Sequence, residues 1–381
     1  MRVVFVTHNY PRHAGDVAGA FLHPLAVALL ARGLDMHVVA PSDRGRGGHD
    51  VLDGVPVHRV RYAAPAQETF GYSGTMADAI RSLRGLRALA GMMRALRKGA
   101  SEAVGNVPRT VVHAHWWIPA GLSAPRRTPM VLTCHGTDVR ILARGGAALW
   151  LGRSAIRRAR VVTTVSQPLA AIITEQTGVA IAADAVQPMP VADVPRPMSH
   201  GGGGLAVVGR LSDQKRVDLA IRAFAILRQQ GYDRPLRIVG DGQRLGALQS
   251  LTSELGLGEA VEFVGALAPG AVAAVLATAD ACLMTAHDEG FGLVAAEALI
   301  QGVPVVACHD GGGVLDIVSP RGAGRLAEPN AQAIADAIVS LLADPTAMAT
   351  AQVAGGELAE RLSPASVAAK AMTWYERALD A

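Results

Sequence analysis

Short runs of β-branched and aliphatic residues alternate with stretches of helical spacing along almost the whole chain. In the first half the runs are Val3–Thr7, Met36–Ala40, Val111–Ala114, Met130–Thr133 and Val161–Val165. In the second half they are Leu205–Gly209, Leu236–Gly240, Val261–Gly265, Ala281–Thr285 and Val303–Ala307. They are largely apolar rather than strictly alternating, as strands covered on both faces are, and the βα alternation predicts doubly wound parallel sheets. Between the two sets lies Gln187–Gly204, with four prolines and four glycines. This predicts two Rossmann-like domains, residues 1–195 and 196–364, with the expected site in the cleft between them. Ser363 followed by Pro364 reads as a helix start, and Val367, Met372, Trp374 and Leu379 continue at helical spacing. A closing helix over 365–381, packing back towards the N-terminal domain, is expected.

One segment breaks the apolar pattern. A helix predicted over Phe291–Ile300 carries a single charge, Glu297, among Phe, Leu, Val, Ala and Ile on every face. Helices apolar all round are buried, and a buried carboxylate needs a partner. Nothing nearby in sequence supplies one. Glu289 stands eight residues earlier, just before Gly290-Phe291-Gly292. The arrangement reads as a helix N-terminus open to an anion, with one acid at its mouth and one inside.

Composition narrows the function classes. Half of the 381 residues are hydrophobic and 18% are charged, so the chain can bury large cores; aromatics, at 4%, are too sparse for a single-strand nucleic-acid platform. Three widely spaced cysteines, Cys134, Cys282 and Cys308, imply neither a disulfide framework nor a zinc knuckle, and point to a reduced, cytoplasmic setting. The opening MRVVFVTHNYPR is too short in its apolar run for a signal peptide, and no membrane-spanning run exists. Residues 1–195 carry a balance of +10 and the remainder −6, which together give the chain's +4. The first half is therefore expected to meet something anionic.

Two further stretches follow strands. GRLSDQKRVDLAI at 209–221 puts Arg210 past a strand end and Lys215 near the next helix start, which suits a pyrophosphate, although alone such a pair more often faces solvent. IVGDGQRLG at 238–246 passes for a dinucleotide fingerprint, but its third glycine is one residue late and no acid follows in place. It reads as a tight strand–helix turn rather than an NAD site.

Taken in order, these motifs resemble the retaining glycosyltransferase family 4 of GT-B fold, over nearly the whole chain. The carriers are Glu-x7-Glu with Gly-Phe-Gly between, GRL…K, residues 10–41 as a glycine loop and first helix, VVHAHWWIPAG, LTCHGTDV, TTVSQPLA and PVVACHDGGGVLDIV. The resemblance implies two Rossmann-like domains facing a central cleft and a nucleotide diphosphate sugar, GDP- or UDP-linked, as donor. It places Arg210 and Lys215 on the pyrophosphate, Glu297 on the ribose hydroxyls and Glu289 on the donor sugar. It also places the backbone N–H groups of Phe291, Gly292 and Leu293 on the phosphates, and the nucleotide base near Gly265–Leu267, which makes Leu267 a donor-binding residue. His135 matches the family's cleft histidine, Gly15 its close-approach loop, and Asp16 an acceptor contact. Two departures stand out: Arg216 replaces a glycine that often follows the lysine, and PMPVAD at 188–193 replaces a common Pro-Asn-Gly-Val-Asp.

The implied reaction is metal-independent, retaining hexosyl transfer by front-face attack, with no cofactor and no nucleic-acid partner. His113, His115 and His135 invite a metal site, but no carboxylate or cysteine pattern supports one, and no Asp-x-Asp occurs. The acceptor is a glycan, a lipid-linked sugar or a small molecule. Residues 80–98 form a basic amphipathic helix with Leu86, Leu89, Met92, Met93 and Leu96 on one arc and Arg84, Arg87, Arg94, Arg97 and Lys98 beside it. It suits peripheral contact with an anionic membrane, or packing on the core. The alternatives are a sugar-nucleotide 2-epimerase of the same fold, which the glycine loop argues against, and a non-catalytic nucleotide-sugar binder.

Overall fold

Among the described residues thirteen strands form two separate sheets. In chain order they are β1 (Arg2–Val6), β2 (Asp35–Pro41), β3 (Gly48–Leu52), β4 (Val55–Val60), β5 (Thr110–His115), β6 (Met130–Cys134), β7 (Val161–Thr164), β8 (Leu205–Val208), β9 (Leu236–Val239), β10 (Val261–Gly265), β11 (Ala281–Met284), β12 (Val305–Cys308) and β13 (Gly324–Ala327). The first sheet has the order β3-β4-β2-β1-β5-β6-β7 and the second β10-β9-β8-β11-β12-β13. The computed structural model describes residues 1–68, 70–72, 82–191, 201–319 and 322–381. Two compact units result: Met1–Ala192 with Pro364–Ala381, and Asp193–Ser363. Half of the Pro/Gly-rich stretch, 192–200, and the start of the basic helix, 80–81, lie outside the described residues.

All ten apolar runs form strands, and three more join them. β13 extends the second sheet. β4 runs parallel to β2, whereas β3 returns antiparallel on β4 through Asp53-Gly54, both with positive φ (47° and 80°). The first sheet is therefore mixed, with an antiparallel edge on an otherwise parallel core. An Asp-Gly pair is a strong hairpin signal, but β3 is exposed on both faces and so lacks the apolar run by which the other strands are recognised.

Strand order places the ligand-competent positions within each unit. In the first sheet the direction of winding reverses between β1 and β5, and in the second between β8 and β11. The crevice outside the carboxyl ends of such a strand pair is the topological switch point where doubly wound sheets bind ligands.

The C-terminal helix, Pro364–Asp380, buries Val367, Ala368, Ala371, Trp374, Tyr375 and Ala378 in the core of the first unit, beside Leu25, Leu29 and Val111. The basic helix runs from Leu83 to Val104, with Ser82 accepting from the Gly85 N–H as its cap. Its stripe of Gly85, Ala88, Met92, Leu96 and Gly99 is buried, so this part of the predicted amphipathic face serves the core, while Leu83 and Leu86 stay exposed. Among the described residues no single helix is long and apolar enough to cross a membrane.

Candidate active site

In the second unit, the loops after β8 and β11 carry most of the charged residues picked out in the sequence. Gly209 and Leu211 donate to the carbonyls of Val239 and Asp241, fastening the β8 and β9 loops together. This closeness explains the GDG turn. A Cβ at Gly240 would stand 1.9 Å from the Gly209 carbonyl oxygen, and one at Gly242 would stand 2.3 Å from that of Leu211. These glycines serve loop packing and, through it, hold Arg210 at the strand end. Arg210 is exposed, and its guanidinium has no hydrogen-bond or ion-pair partner among the described residues.

Lys215 ends a short 3₁₀ turn, Asp213–Lys215, ahead of the helix Val217–Gln229. Its ammonium pairs with the Glu289 carboxylate, and both side chains are largely enclosed, at 23% and 14% exposure. The pair is held from both sides. Thr285 Oγ1 donates to the Lys215 carbonyl (2.8 Å), His287 N–H to the Gln214 carbonyl (3.1 Å), and Gln214 Nε2 to the His287 carbonyl (3.1 Å). Arg216 adopts φ +45°, so the backbone here does take the conformation for which relatives often use glycine. Its side chain offsets the strain: Nε donates to the Thr285 carbonyl (2.8 Å), and the guanidinium makes a two-pronged bond to Asp310 (2.6 and 2.8 Å). That bond, more than burial opposes it, holds the Asp310 carboxyl below its ordinary range.

The helix expected from Phe291 begins at Leu293, because Gly292 precedes it in the left-handed region at φ 89°. Ala295 and Ala296 donate back to the Gly292 carbonyl, whereas the N–H groups of Phe291, Gly292, Leu293 and Val294 find no acceptor among the described residues. Four open donors at a helix N-terminus form an anion-binding concavity. Glu297 sits one turn into this helix. It keeps some exposure, less enclosed than the apolar pattern implies, yet burial raises its pKa to about 7. Its carboxylate has no hydrogen-bond or ion-pair partner among the described residues, while its carbonyl accepts from Gln301 N–H (3.0 Å). Burial followed by the negative field of Glu297 raises the Cys282 thiol, near the start of the neighbouring β11, to about 12. Leu267 is partly buried in the loop after β10, two strands away from β8. That loop is tied to the β9 end by a bond from Gly240 N–H to the Gly265 carbonyl (2.8 Å).

The switch point of the first unit is built from aromatic and neutral groups. His135 follows β6, and its Nε2 lies 3.1 Å from Nδ1 of His115 at the end of β5. The rings of Trp116 and Phe21 lie 4.4 and 5.3 Å from its own. Burial, reinforced by His113 and His8, pushes its pKa well below the usual value, so the ring is neutral. His113 is tied to Tyr375 Oη (2.9 Å) and Thr133 Oγ1 (2.7 Å). Among the described residues no group of three or more His, Cys, Asp or Glu is arranged to hold a metal ion.

The glycine loop follows β1. Gly15 has φ 80° and open space where a Cβ would be, so a ligand can approach its backbone. Asp16 beside it is fully engaged. Oδ2 accepts from Arg12 N–H (2.9 Å) and Nε (2.6 Å), and Oδ1 from Arg12 Nη2 (3.1 Å) and Ala18 N–H (3.2 Å). Burial pushes this carboxyl up, but the Arg12 and Ala18 bonds outweigh it and hold the pKa at about 2. Four donors fill the four lone-pair sites of a carboxylate. Asp16 therefore shapes the loop, and a hydroxyl of an acceptor must displace an existing bond to reach it.

Two family models cover most of the chain: a glycosyl transferase 4-like domain over residues 18–191 and glycosyl transferases group 1 over residues 202–363. A glycogen synthase of Mycobacterium tuberculosis is 30% identical over 91% of this chain and 87% of its own. The chain belongs to the glycosyl transferases group 1 family. A GDP-mannose-dependent phosphatidylinositol monomannoside mannosyltransferase of Mycolicibacterium smegmatis is 33% identical over 59% of this chain and 64% of its own. Among solved structures, sucrose-phosphate synthase from Thermosynechococcus elongatus superimposes with a TM-score of 0.78 at 19% identity over 100% of this chain and 99% of that one. HepE of Anabaena, solved with UDP and glucose, gives 0.66 at 19% identity over 98% of each. These likenesses establish the GT-B fold.

In this glycosyltransferase several supporting residues escape a reading of the sequence. Asp138 is 1% exposed, and its Oδ1 accepts from the His135 and Gly136 N–H groups (3.0 and 3.1 Å) while Oδ2 accepts from Trp117 N–H (3.1 Å). Burial raises its pKa in spite of these bonds. An Asp three residues after a loop histidine is a recognisable local hydrogen-bonding pattern. Asp310, Gln214 and Thr285 act across the fold and leave no local signal.

Proposed function

We propose that this glycosyltransferase moves a hexose-type sugar from a nucleotide diphosphate sugar, GDP- or UDP-linked, to a hydroxyl of a glycan, lipid-linked or small-molecule acceptor, with retention at the anomeric carbon. The observation that carries the reading is Glu297: a carboxylate with a pKa of about 7 and no partner among the described residues, one turn inside a helix with four open N–H groups. A nucleotide diphosphate supplies what both lack, ribose hydroxyls for the acid and phosphate oxygens for the donors. Arg210 and Lys215 take the pyrophosphate. Lys215 then exchanges Glu289 for phosphate, and Glu289 turns to the hydroxyls of the sugar. His135 faces the transferred sugar, and Leu267 borders the base. The departing diphosphate, stabilised by the cations and the helix dipole, takes the acceptor's proton in a front-face displacement. No metal or cofactor takes part.

The chain is assigned to the cytoplasm, consistent with three buried free cysteines, where exposed Leu83 and Leu86 beside Arg84 and Arg87 meet an anionic membrane. Pelleting with anionic vesicles tests that contact; equal pelleting of an Arg84→Glu/Arg87→Glu variant would remove it. The main test incubates the enzyme with GDP- and UDP-sugars, with and without acceptors and with a metal chelator. Released nucleotide diphosphate and a new glycoside of retained configuration are expected. Epimerised donor, or binding without turnover, would replace this reading.

A further inference from the structure

His115 is fully buried at the end of β5 and has no part in the reaction as drawn, yet it makes the one hydrogen bond given to the His135 ring among the described residues. Two imidazoles joined by one hydrogen bond need one N–H and one lone pair between them. Burial keeps both rings neutral, so each carries a single ring proton. Two arrangements remain. Either His115 donates from Nδ1, or His135 donates from Nε2 and His115 carries its proton on Nε2.

The surroundings of His115 choose between them. Its Nε2 is buried without a hydrogen-bond partner, and its ring lies against Phe5 (centroids 4.7 Å apart) and His113 (4.2 Å). A proton on Nε2 would leave an orphaned N–H there, whereas a proton on Nδ1 leaves only an unused lone pair. Buried orphan donors are the rarer and costlier case.

We propose that His115 is a positioning residue: its Nδ1–H donates to His135 Nε2 and fixes His135 as the tautomer protonated on Nδ1. His135 then presents an N–H donor, with no partner among the described residues, to a hydroxyl or phosphate oxygen of the ligand. That last step rests on the proposed function; the tautomer itself does not. The chain from sheet to site is short. β5 and β6 are paired in register through His113↔Val131 and His115↔Thr133, which sets the two histidines side by side at adjacent strand ends.

The test uses the full chain with ¹⁵N-labelled histidine and long-range ¹H–¹⁵N spectra, with the His135 signals assigned through a His135→Asn variant. Wild type is expected to show a protonated Nδ1 and an unprotonated Nε2 on His135. His115→Asn, whose amide nitrogen stands near the Nδ1 position, keeps this pattern. His115→Gln, whose amide reaches the Nε2 position, loses it. Kinetics with a nucleotide diphosphate sugar should follow: kcat falls roughly tenfold in His115→Gln with little change in KM, and most of it returns in His115→Asn. A wild-type His135 protonated on Nε2 overturns the proposal even if neither variant folds. So does an unchanged tautomer, or an unchanged kcat, in folded His115→Gln. The spectra need no sugar donor, so a protein without transferase activity would refute the proposed function and leave the tautomer result standing.

Discussion

The two switch points share a topology and differ in chemistry. In the second unit the loops after β8 and β11 bring together Lys215, Arg210, Glu289 and open helix N–H groups, a set of charges and donors matched to an anion. In the first unit the C-terminal half of β5 and the loops after β1 and β6 bring together His113, His115, His8 and His135, all held neutral by burial, against Trp116 and Phe21. The strand order gives each unit a crevice; the loop residues decide whether it attracts charge or offers neutral hydrogen bonds in an apolar surround.

If that contrast is right, the largest effect comes from removing charge in the second unit. Lys215→Ala should lower kcat/KM for the donor by about 10- to 100-fold, the worth of one charge-assisted bond to phosphate, in steady-state kinetics. The same substitution strands Glu289 without its cation. A loss under threefold would mean that the helix N-terminus and Arg210 carry the anion alone.

Glu297→Gln comes next, with an expected loss of roughly tenfold in donor affinity measured by calorimetry. Stability should move the other way. The folded pKa of about 7 lies above the ordinary 4.5, so the wild-type protein is stabilised relative to its charged state at low pH. That advantage is lost as pH rises from about 4.5 through 7. Thermal melts should show the wild-type protein losing stability over this window and the Gln variant keeping it. A parallel pH response in both proteins would mean that Glu297 is ionised with a partner.

A smaller effect is expected where the first unit does use charge, in the Arg12–Asp16 clamp. The Asp16 pKa is depressed to about 2 from 3.8, so its stabilisation is complete above about pH 4 and disappears as pH falls through 2. Arg12→Gln should cost about 1–2 kcal/mol at neutral pH, after allowance for the partial exposure of Arg12, and should flatten the acid limb of the unfolding curve. An unaltered acid limb would assign the depression to the backbone bonds alone. Smallest of all is Arg216→Gly. It relieves about 1 kcal/mol of left-handed strain and gives up the Asp310 fork, so the melting temperature should hardly move. Arg216→Ala keeps the strain, loses the fork, and should melt lower.

The sequence was most legible where the pattern is local. The ten apolar runs, the start of the C-terminal helix at Pro364 and the lone acid in an apolar helix are all visible within a few residues. β3 carries no such signal because it is exposed on both faces, and the helix starts two residues after its apolar pattern does because Gly292 stands in the left-handed region. Asp16, read as facing an acceptor, has its oxygens occupied by a residue only four positions away, a pairing visible in principle as an i, i+4 spacing.

By itself the sequence determined the layers, the division into two sheets and the residue types available at each strand end, because strand and helix periodicities are set by neighbours along the chain. Only the tertiary structure decided the pairings. Lys215 meets Glu289 from 74 residues away, His115 meets His135 across a strand pair, and Tyr375 of the last helix reaches His113 in the first unit's sheet. A hydrogen bond depends on distances of a few tenths of an ångström between groups that no local pattern relates, so partnership, and with it protonation, is fixed only when the sheets are packed.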